Sequence, residues 1–405
     1  MKQRVVIIGQ GYTGRLSLVR SVAKMDCDIT IIVLIPKRQF DDNKKKEKPI
    51  DAYSKYVSRY LFSENYNTGM LIDILMNQCV TPDQKTFIFP DNDFSAAAVD
   101  KHRDVLKEYF FIPHINERCG AVEEWMAKTK QKALASQIGL NVVNSKMIRV
   151  KNLSYQILED IHYPCFVKPL VSIVGGKSGL KRCDNKNDLR NHIDEFIANR
   201  NFRDVDLLVE DYKIISREFA TLGFSDGKEV IIPGLLELLR IGHGNHFGVA
   251  VQGRAFPVTG YEELVNKFKR IVMEIGFIGV FDIDFFESEG KMYFCELNLR
   301  FGGSGYAFTK LGVNLPVMMI KSFLGKSIEG MKKTIDREAT YFNERMAIDD
   351  WYSGYLPTKD FMKMREESEI KFVADEKDPI PQRKLEKEFR LKRIKKTIKG
   401  WMGKE

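Results

Sequence analysis

Between Gly279 and Arg300 the chain gathers oxygen donors and a cation at strand spacing. Gly279-Val-Phe-Asp-Ile-Asp-Phe-Phe286 is followed, after a short polar stretch, by Met292-Tyr-Phe-Cys-Glu-Leu-Asn-Leu-Arg300. The two halves read as a hairpin with its turn near Glu289-Gly290. Side chains alternate faces along a strand, so Glu296, Asn298 and Arg300 share one face. Cys295, Leu297 and Leu299 fall on the other face, which can be buried. On the partner strand Asp282 and Asp284 lie together. Converging carboxylates and an amide oxygen make a hard, all-oxygen site suited to Mg²⁺. The arginine beside them suits a carboxylate or a transferring phosphoryl group. A solvated strand face could also be polar, but Gly302-Gly303-Ser304-Gly305 directly afterwards favours a site.

Upstream lie groups that a nucleotide would need. Pro164-Cys-Phe-Val-Lys168-Pro169 places a lysine at the end of a strand, and Gly175-Gly176-Lys-Ser-Gly179 follows. Backbone N–H groups of such a loop can cradle phosphate, although the GxxxxGK[ST] pattern of a P-loop is absent. Leu208-Val-Glu210-Asp211-Tyr212 and Arg217-Glu218-Phe219 come next.

In this order, residues from about 86 to 325 resemble the ATP-grasp superfamily of carboxylate–amine ligases. The resemblance rests chiefly on Glu-x-Asn-x-Arg followed by Gly-Gly-Ser. It implies that Lys168 contacts the nucleotide phosphates and adenine, and that Lys128 is a second phosphate lysine, with Lys130 and Lys132 close competitors. It implies that Glu210 faces the adenine amine, with the backbone of Asp211 and Tyr212 completing the hinge, and that Glu218 holds the ribose. Asp284, Glu296 and Asn298 match magnesium ligands, and Arg300 matches the arginine that steadies an acyl phosphate. The implied cofactors are ATP and Mg²⁺, the products ADP and phosphate, and the partners small-molecule carboxylates and amines. Amino-acid ligases acting on peptides or cell-envelope precursors, and carbamoyl-phosphate-synthase-like enzymes, are the nearest variants. Leu299 stands where the family usually has Pro, and Asp282 is an extra acid without an assigned role.

The elements that must position these groups read as α/β. Arg4-Val-Val-Ile-Ile8, a helix to Lys24 and Ile29 to Ile35 form a βαβ opening. Thr86-Phe-Ile-Phe89 is another buried-type strand, with Pro90-Asp-Asn-Asp93 capping the next helix. The expected organisation is a Rossmann-like domain over 1–118, then a two-lobed ATP-grasp fold over 119–328 with a mobile lid lobe about 145–205. An extension over 329–405 completes the chain, and the nucleotide and metal residues all precede residue 325.

Gly9-x-Gly11-x-x-Gly14 has the form of a dinucleotide fingerprint. The second strand, however, ends in Leu34-Ile-Pro-Lys37-Arg38 without the acid that such a site wants. The reading favours a cofactor-free loop over an NADP-dependent oxidoreductase or an idle nucleotide-binding module. His243 and His246 read as a loop or core pair rather than half a metal site, and Met318 and Met319 as core.

Six scattered cysteines with no CxxC spacing fit a reduced, cytoplasmic protein. Of the net charge of +9, residues 383–405 carry +7, with ten Lys and Arg against three Glu. The body is thus nearly neutral, which speaks against nucleic acid as a partner. Within the basic segment Leu391, Ile394, Ile398 and Trp401 recur at helical spacing. That helix could meet an anionic membrane surface or pack on its own domain.

Overall fold

The computed structural model describes residues 2–42, 46–170, 179–198, 205–243 and 248–402. The chain opens with β1 (Gln3–Gly9), α1 (Tyr12–Val22), β2 (Cys27–Ile35), β3 (Val57–Glu64), β4 (Thr86–Pro90), α2 (Asp93–Lys101) and β5 (Phe110–Phe111). These strands make a parallel sheet in the order β3-β2-β1-β4-β5. A parallel sheet covered on both faces needs strands that are apolar throughout. In β1, Val5 and Ile7 enter one core cluster while Val6 and Ile8 enter another with Leu71 and Leu75.

After β6 (His114–Ile115), α3 (Lys128–Gln137) and β7 (Asn141–Val142) the chain builds two further sheets. β8 (Ser145–Ile148), β9 (Cys165–Pro169), β10 (Lys181–Cys183) and β11 (Leu207–Asp211) form a small antiparallel sheet, ordered β10-β9-β11-β8. It has its own core of Leu158, Val167, Leu189, Ile193 and Leu207. The large sheet takes β6 and β7 and adds β12 (Arg217–Ser225), β13 (Val230–Ile231), β14 (Leu235–Ile241), β15 (Ala250–Phe256), β16 (Phe277–Ser288) and β17 (Lys291–Asn298). One of its faces is covered by α4 (Glu262–Ile275), whose Val265, Phe268, Ile271 and Val272 recur at helical spacing. The other face packs on a helix over Leu315–Phe323 and through it on α1, so that Ala220, Leu222 and Leu236 share a cluster with Met318, Met319, Leu18 and Val5.

The segment after residue 328 returns to this frame. β18 (Ala339–Phe342) pairs with β15, and β19 (Ile370–Lys371) pairs with β18. Between and after them lie α5 (Glu344–Tyr352), α6 (Thr358–Glu367) and α7 (Ile380–Met402). Leu385 of α7 joins a cluster that includes Leu16 and Ile50 from the first domain, with Phe389 against it. The basic helix is therefore packed on the body along its first half.

Asp378, just before α7, is fully buried and accepts hydrogen bonds from Arg20 Nε at 3.1 Å, Ser54 Oγ at 2.8 Å and Lys55 N at 3.0 Å. Arg20 also donates to the carbonyls of Phe372 and Val373 at 2.9 Å. Removing one partner of a buried ion pair strands the other charge. Asp378→Ala should therefore lose about 3 kcal/mol or more in urea unfolding; a loss near zero would show that this clamp does not secure the C-terminal segment.

Candidate active site

The hairpin of β16 and β17 closes through Glu289 and Gly290, with φ of 52° and 70°. Positive φ at both central residues is the two-residue turn that matches strand twist. Its register sets Asp282 opposite Asn298 and Asp284 opposite Glu296. The register slips between Asp284 and Phe285, where Phe285 faces Phe294 and Cys295 becomes the extra residue of a β-bulge.

The bulge corrects one expectation. Leu297 and Leu299 are buried against Ile283 and Phe285 as the alternation requires, but Cys295 does not join them. It lies in the field of Lys168, Glu296 and Glu210, and burial pushes its thiol up to about 12.

α3 docks on this hairpin through Lys128, Gln131, Lys132 and Ala135, which recur on one helical face. Gln131, missed by sequence reasoning, pins β17 twice. Its amide donates to Leu297 O at 2.8 Å and accepts from Leu297 N at 2.9 Å. With the helix so fixed, Lys128 Nζ stands 3.1 Å from Glu296 Oε2. Lys132 reaches Glu210 Oε1 and donates to Val143 O at 2.9 Å. Lys130 turns away to Glu124 and sits over the Trp125 ring, so two of the three competing lysines reach the site.

Lys168, at the end of β9, is 2.8 Å from the same Glu210 oxygen. Burial works against its charge, but Cys295, Glu210 and Glu296 outweigh it and hold the ammonium above its ordinary range. Burial and the neighbouring Lys168 hold Lys132 below its range despite Glu210. For Glu210, burial is outweighed by Lys168 and Lys132, which keep it ionised.

Next along β11, Asp211 accepts from Asn144 Nδ2 at 3.2 Å, and Tyr212 N donates to Pro164 O at 3.1 Å. Glu218 on β12 is paired in register with Phe286 and Leu238, and burial alone pushes its carboxyl up. Gly179 packs so closely that a Cβ would lie 2.8 Å from the Phe196 ring and 2.9 Å from Pro169. Gly175 and Gly176 lie outside the described residues, as does His246. His243 pairs with the buried Asp350 at 3.3 Å and stacks on Tyr355.

At the hairpin's centre three carboxylates crowd together. Burial, then Asp282 and Glu296, pushes Asp284 well above the carboxylate range. Burial pushes Asp282 up to about 6 against Arg300. Glu296 is instead held low, burial being outweighed by Lys128 and Lys168. Asn298 Nδ2 donates to Asp284 Oδ2 at 3.1 Å. Arg300 donates from Nε to Asp93 Oδ1 at 3.0 Å and stands 3.6 Å from Asp282 Oδ2. Asp93, read from sequence as part of a helix cap, thus holds the arginine, while Asn92 caps α2 through Ser95 N at 3.0 Å. Among the described residues no group of three or more His, Cys, Asp or Glu is set to hold a metal unaided. Asp284, Glu296 and the Asn298 amide nonetheless fit a hard cation, which would relieve the repulsion that raises Asp284.

The glycines of the first loop approach other groups. A Cβ on Gly9 would fall 1.5 Å from Asp91 Oδ1, and one on Gly14 would fall 3.1 Å from Asp91 Oδ2. The Asp91 carboxyl therefore occupies the space beside Gly9 and Gly14, while nothing lies within 4 Å of a Cβ on Gly11.

Gln131 supplies a test of this construction. Gln131→Leu leaves the amide N–H and carbonyl of Leu297 buried without partners and should cost about 1–3 kcal/mol of stability. Unchanged urea unfolding would show that Gln131 does not hold β17.

Residues 133–314 match the family model of the ATP-grasp domain. The carbamoyl phosphate synthase large chain of Agathobacter rectalis is 26% identical over 216 residues, covering 52% of this chain and 19% of that protein. The chain spans about a fifth of the length of the curated relatives it matches. The biotin carboxylase domain of Hydrogenobacter thermophilus 2-oxoglutarate carboxylase, solved with MgADP, ADP and bicarbonate, superposes with a TM-score of 0.62 at 18% identity, over 84% of this chain and 74% of that one. N5-carboxyaminoimidazole synthetase from Staphylococcus aureus, complexed with ADP, gives a TM-score of 0.60 at 19% identity, over 84% and 82%. The chain carries an ATP-grasp domain, with a Rossmann-like parallel sheet before it.

Proposed function

We propose that this chain is an ATP- and Mg²⁺-dependent ligase that activates a carboxylate as an acyl phosphate and joins it to an amine, releasing ADP and phosphate. The observation that carries this reading is the hairpin register. It brings Asp284, Glu296 and Asn298 together within reach of Lys128 and beside Arg300. In this reading Lys128 and Lys168 hold the nucleotide phosphates, Glu210 faces the adenine amine, and the backbone of Asp211 and Tyr212 lines the hinge. The desolvated carboxyl of Glu218 takes a ribose hydroxyl. Mg²⁺ held by Asp284, Glu296 and Asn298 would neutralise the β- and γ-phosphates. Arg300, kept charged by Asp93 and Asp282, steadies the substrate carboxylate and then the acyl phosphate. Little covalent work falls to the protein, so positioning and electrostatics dominate. The small sheet, with Gly179 just before β10, is the lid that keeps water from the acyl phosphate.

The resemblance to amino-acid ligases supports amino acids or cell-envelope precursors as the substrate class, and the free cysteines support the cytoplasm as the compartment. Peripheral contact with a membrane is a separate property that rests on α7 alone. No helix among the described residues is long and apolar enough to cross a membrane.

Phosphate release with ATP, Mg²⁺ and paired pools of acids and amines tests the reading. Glu296→Gln and Asn298→Ala should each lower turnover about 100-fold or more, given the several kcal/mol a catalytic metal supplies, while Lys130→Ala should retain it. Wild-type turnover in both metal-face variants would sink the ligand assignment. A melting shift with NADPH and none with ATP would overturn the function.

The raised carboxyls add a pH test. Asp284, held well above the carboxylate range, must lose its proton before a cation is favoured, and Asp282 beside it is pushed up to about 6, so Mg²⁺ affinity should rise as pH climbs through that value. The Mg²⁺ dependence of the ADP-induced melting shift, followed on both sides of that value, reads this directly. A flat profile would show that these acids do not face the metal.

A further inference from the structure

α7 uses only part of its surface against the body. Leu385 and Phe389, four residues apart, point inward to Trp351 and Phe361. Its acids, half-exposed on its flanks, pair with arginines of the body. Glu386 pairs with Arg365 at 3.3 Å, and Glu388 pairs with Arg345 at 2.6 Å. The outward face carries Leu391 and Ile394, 51% and 56% exposed, on adjoining turns. Around that apolar pair Arg383, Lys387, Arg390 and Lys395 are all exposed. The helix thus sorts its charges, with acids neutralised by the body's arginines and an outer face whose charge is entirely basic.

We propose that this outer face of α7 docks the protein on an anionic phospholipid surface, with Leu391 and Ile394 entering the headgroup region. The inference rests on how α7 divides its faces and stands whether or not the ligase reading holds. Charge complementarity selects the occupant. A second copy of the same face would bring basic residues against basic residues, which repel. A polyanion without an apolar layer would leave Leu391 and Ile394 unused. An amphipathic helix lying in the interface uses both its apolar residues and its flanking cations. Basic residues near an anionic leaflet add attraction that falls off within a Debye length.

The test is sedimentation of the full chain with vesicles of phosphatidylcholine plus phosphatidylserine, and with phosphatidylcholine alone. The protein should pellet with the mixed vesicles at low salt, stay in the supernatant with the neutral ones, and be released as salt rises. Leu391→Gln with Ile394→Gln, which adds no charge, should weaken vesicle binding about tenfold or more through lost apolar insertion. Both positions are exposed, so melting of this variant should match the parent. Absence of pelleting at low salt, or equal pelleting with neutral vesicles, overturns the proposal. So does undiminished binding by the double variant. Competition by duplex DNA that the double variant resists equally would make nucleic acid the partner, and would overturn it too.

Discussion

Asp282, Asp284 and Glu296 are packed within two rows of one hairpin, and the surrounding fold answers that repulsion. Like charges in a desolvated site favour protonation unless cations stand close. Each neighbouring element supplies one. α3 gives Lys128, β9 gives Lys168, and the end of β17 gives Arg300. The supply is uneven. Glu296, beside Lys128 and near Lys168, stays ionised, while Asp284 lacks a close cation of its own and is pushed up. That imbalance gives a divalent cation a reason to bind at Asp284, and it comes from the geometry of the protein itself.

Holding such a cluster requires that the elements cannot slide. Gln131 fixes α3 to β17 through two backbone bonds, which keeps Lys128 on Glu296 and Lys132 on Glu210. Asp93 fixes Arg300 from the first domain, so the parallel sheet reaches into the site through α2. A shared core beneath runs from Val5 and Ile7 to Leu222 and Leu236. Lost stability in either contact would therefore appear also as misplaced charge, because positioning of this kind tolerates little displacement.

Much of the hairpin was legible because its chemistry is local. A two-residue turn with glycine and a period-2 alternation fix which residues share a face, and Asp282, Asp284, Glu296 and Asn298 follow. The bulge at Cys295 was not legible, since alternation counts residues and cannot see that one is extra. Gln131 hid for a related reason. A glutamine among lysines on a helix reads as surface, and only the partner strand shows that it is buried. In α7 both Leu385–Phe389 and Leu391–Ile394 recur at helical spacing, so periodicity announces a helix but not which pair faces the body. Tertiary contact decides that.

The opening glycines show most sharply what a fingerprint records. Gly9 and Gly14 fit the dinucleotide pattern because each must let another group come close. Here the group is Asp91, with burial pushing its carboxyl up to about 7 against Arg15 and Arg300. The same restriction operates on the facing side. A Cβ on Gly302 would fall 2.2 Å from Asp282 Oδ2, and one on Gly303 would fall 3.3 Å from Gly14 Cα. Two glycine turns, almost three hundred residues apart in sequence, are thus pressed together with an acid beside each. Their glycines are required by close approach of backbone to backbone and of backbone to carboxylate. This glycine spacing joins the first domain to the bend after β17 that carries Arg300.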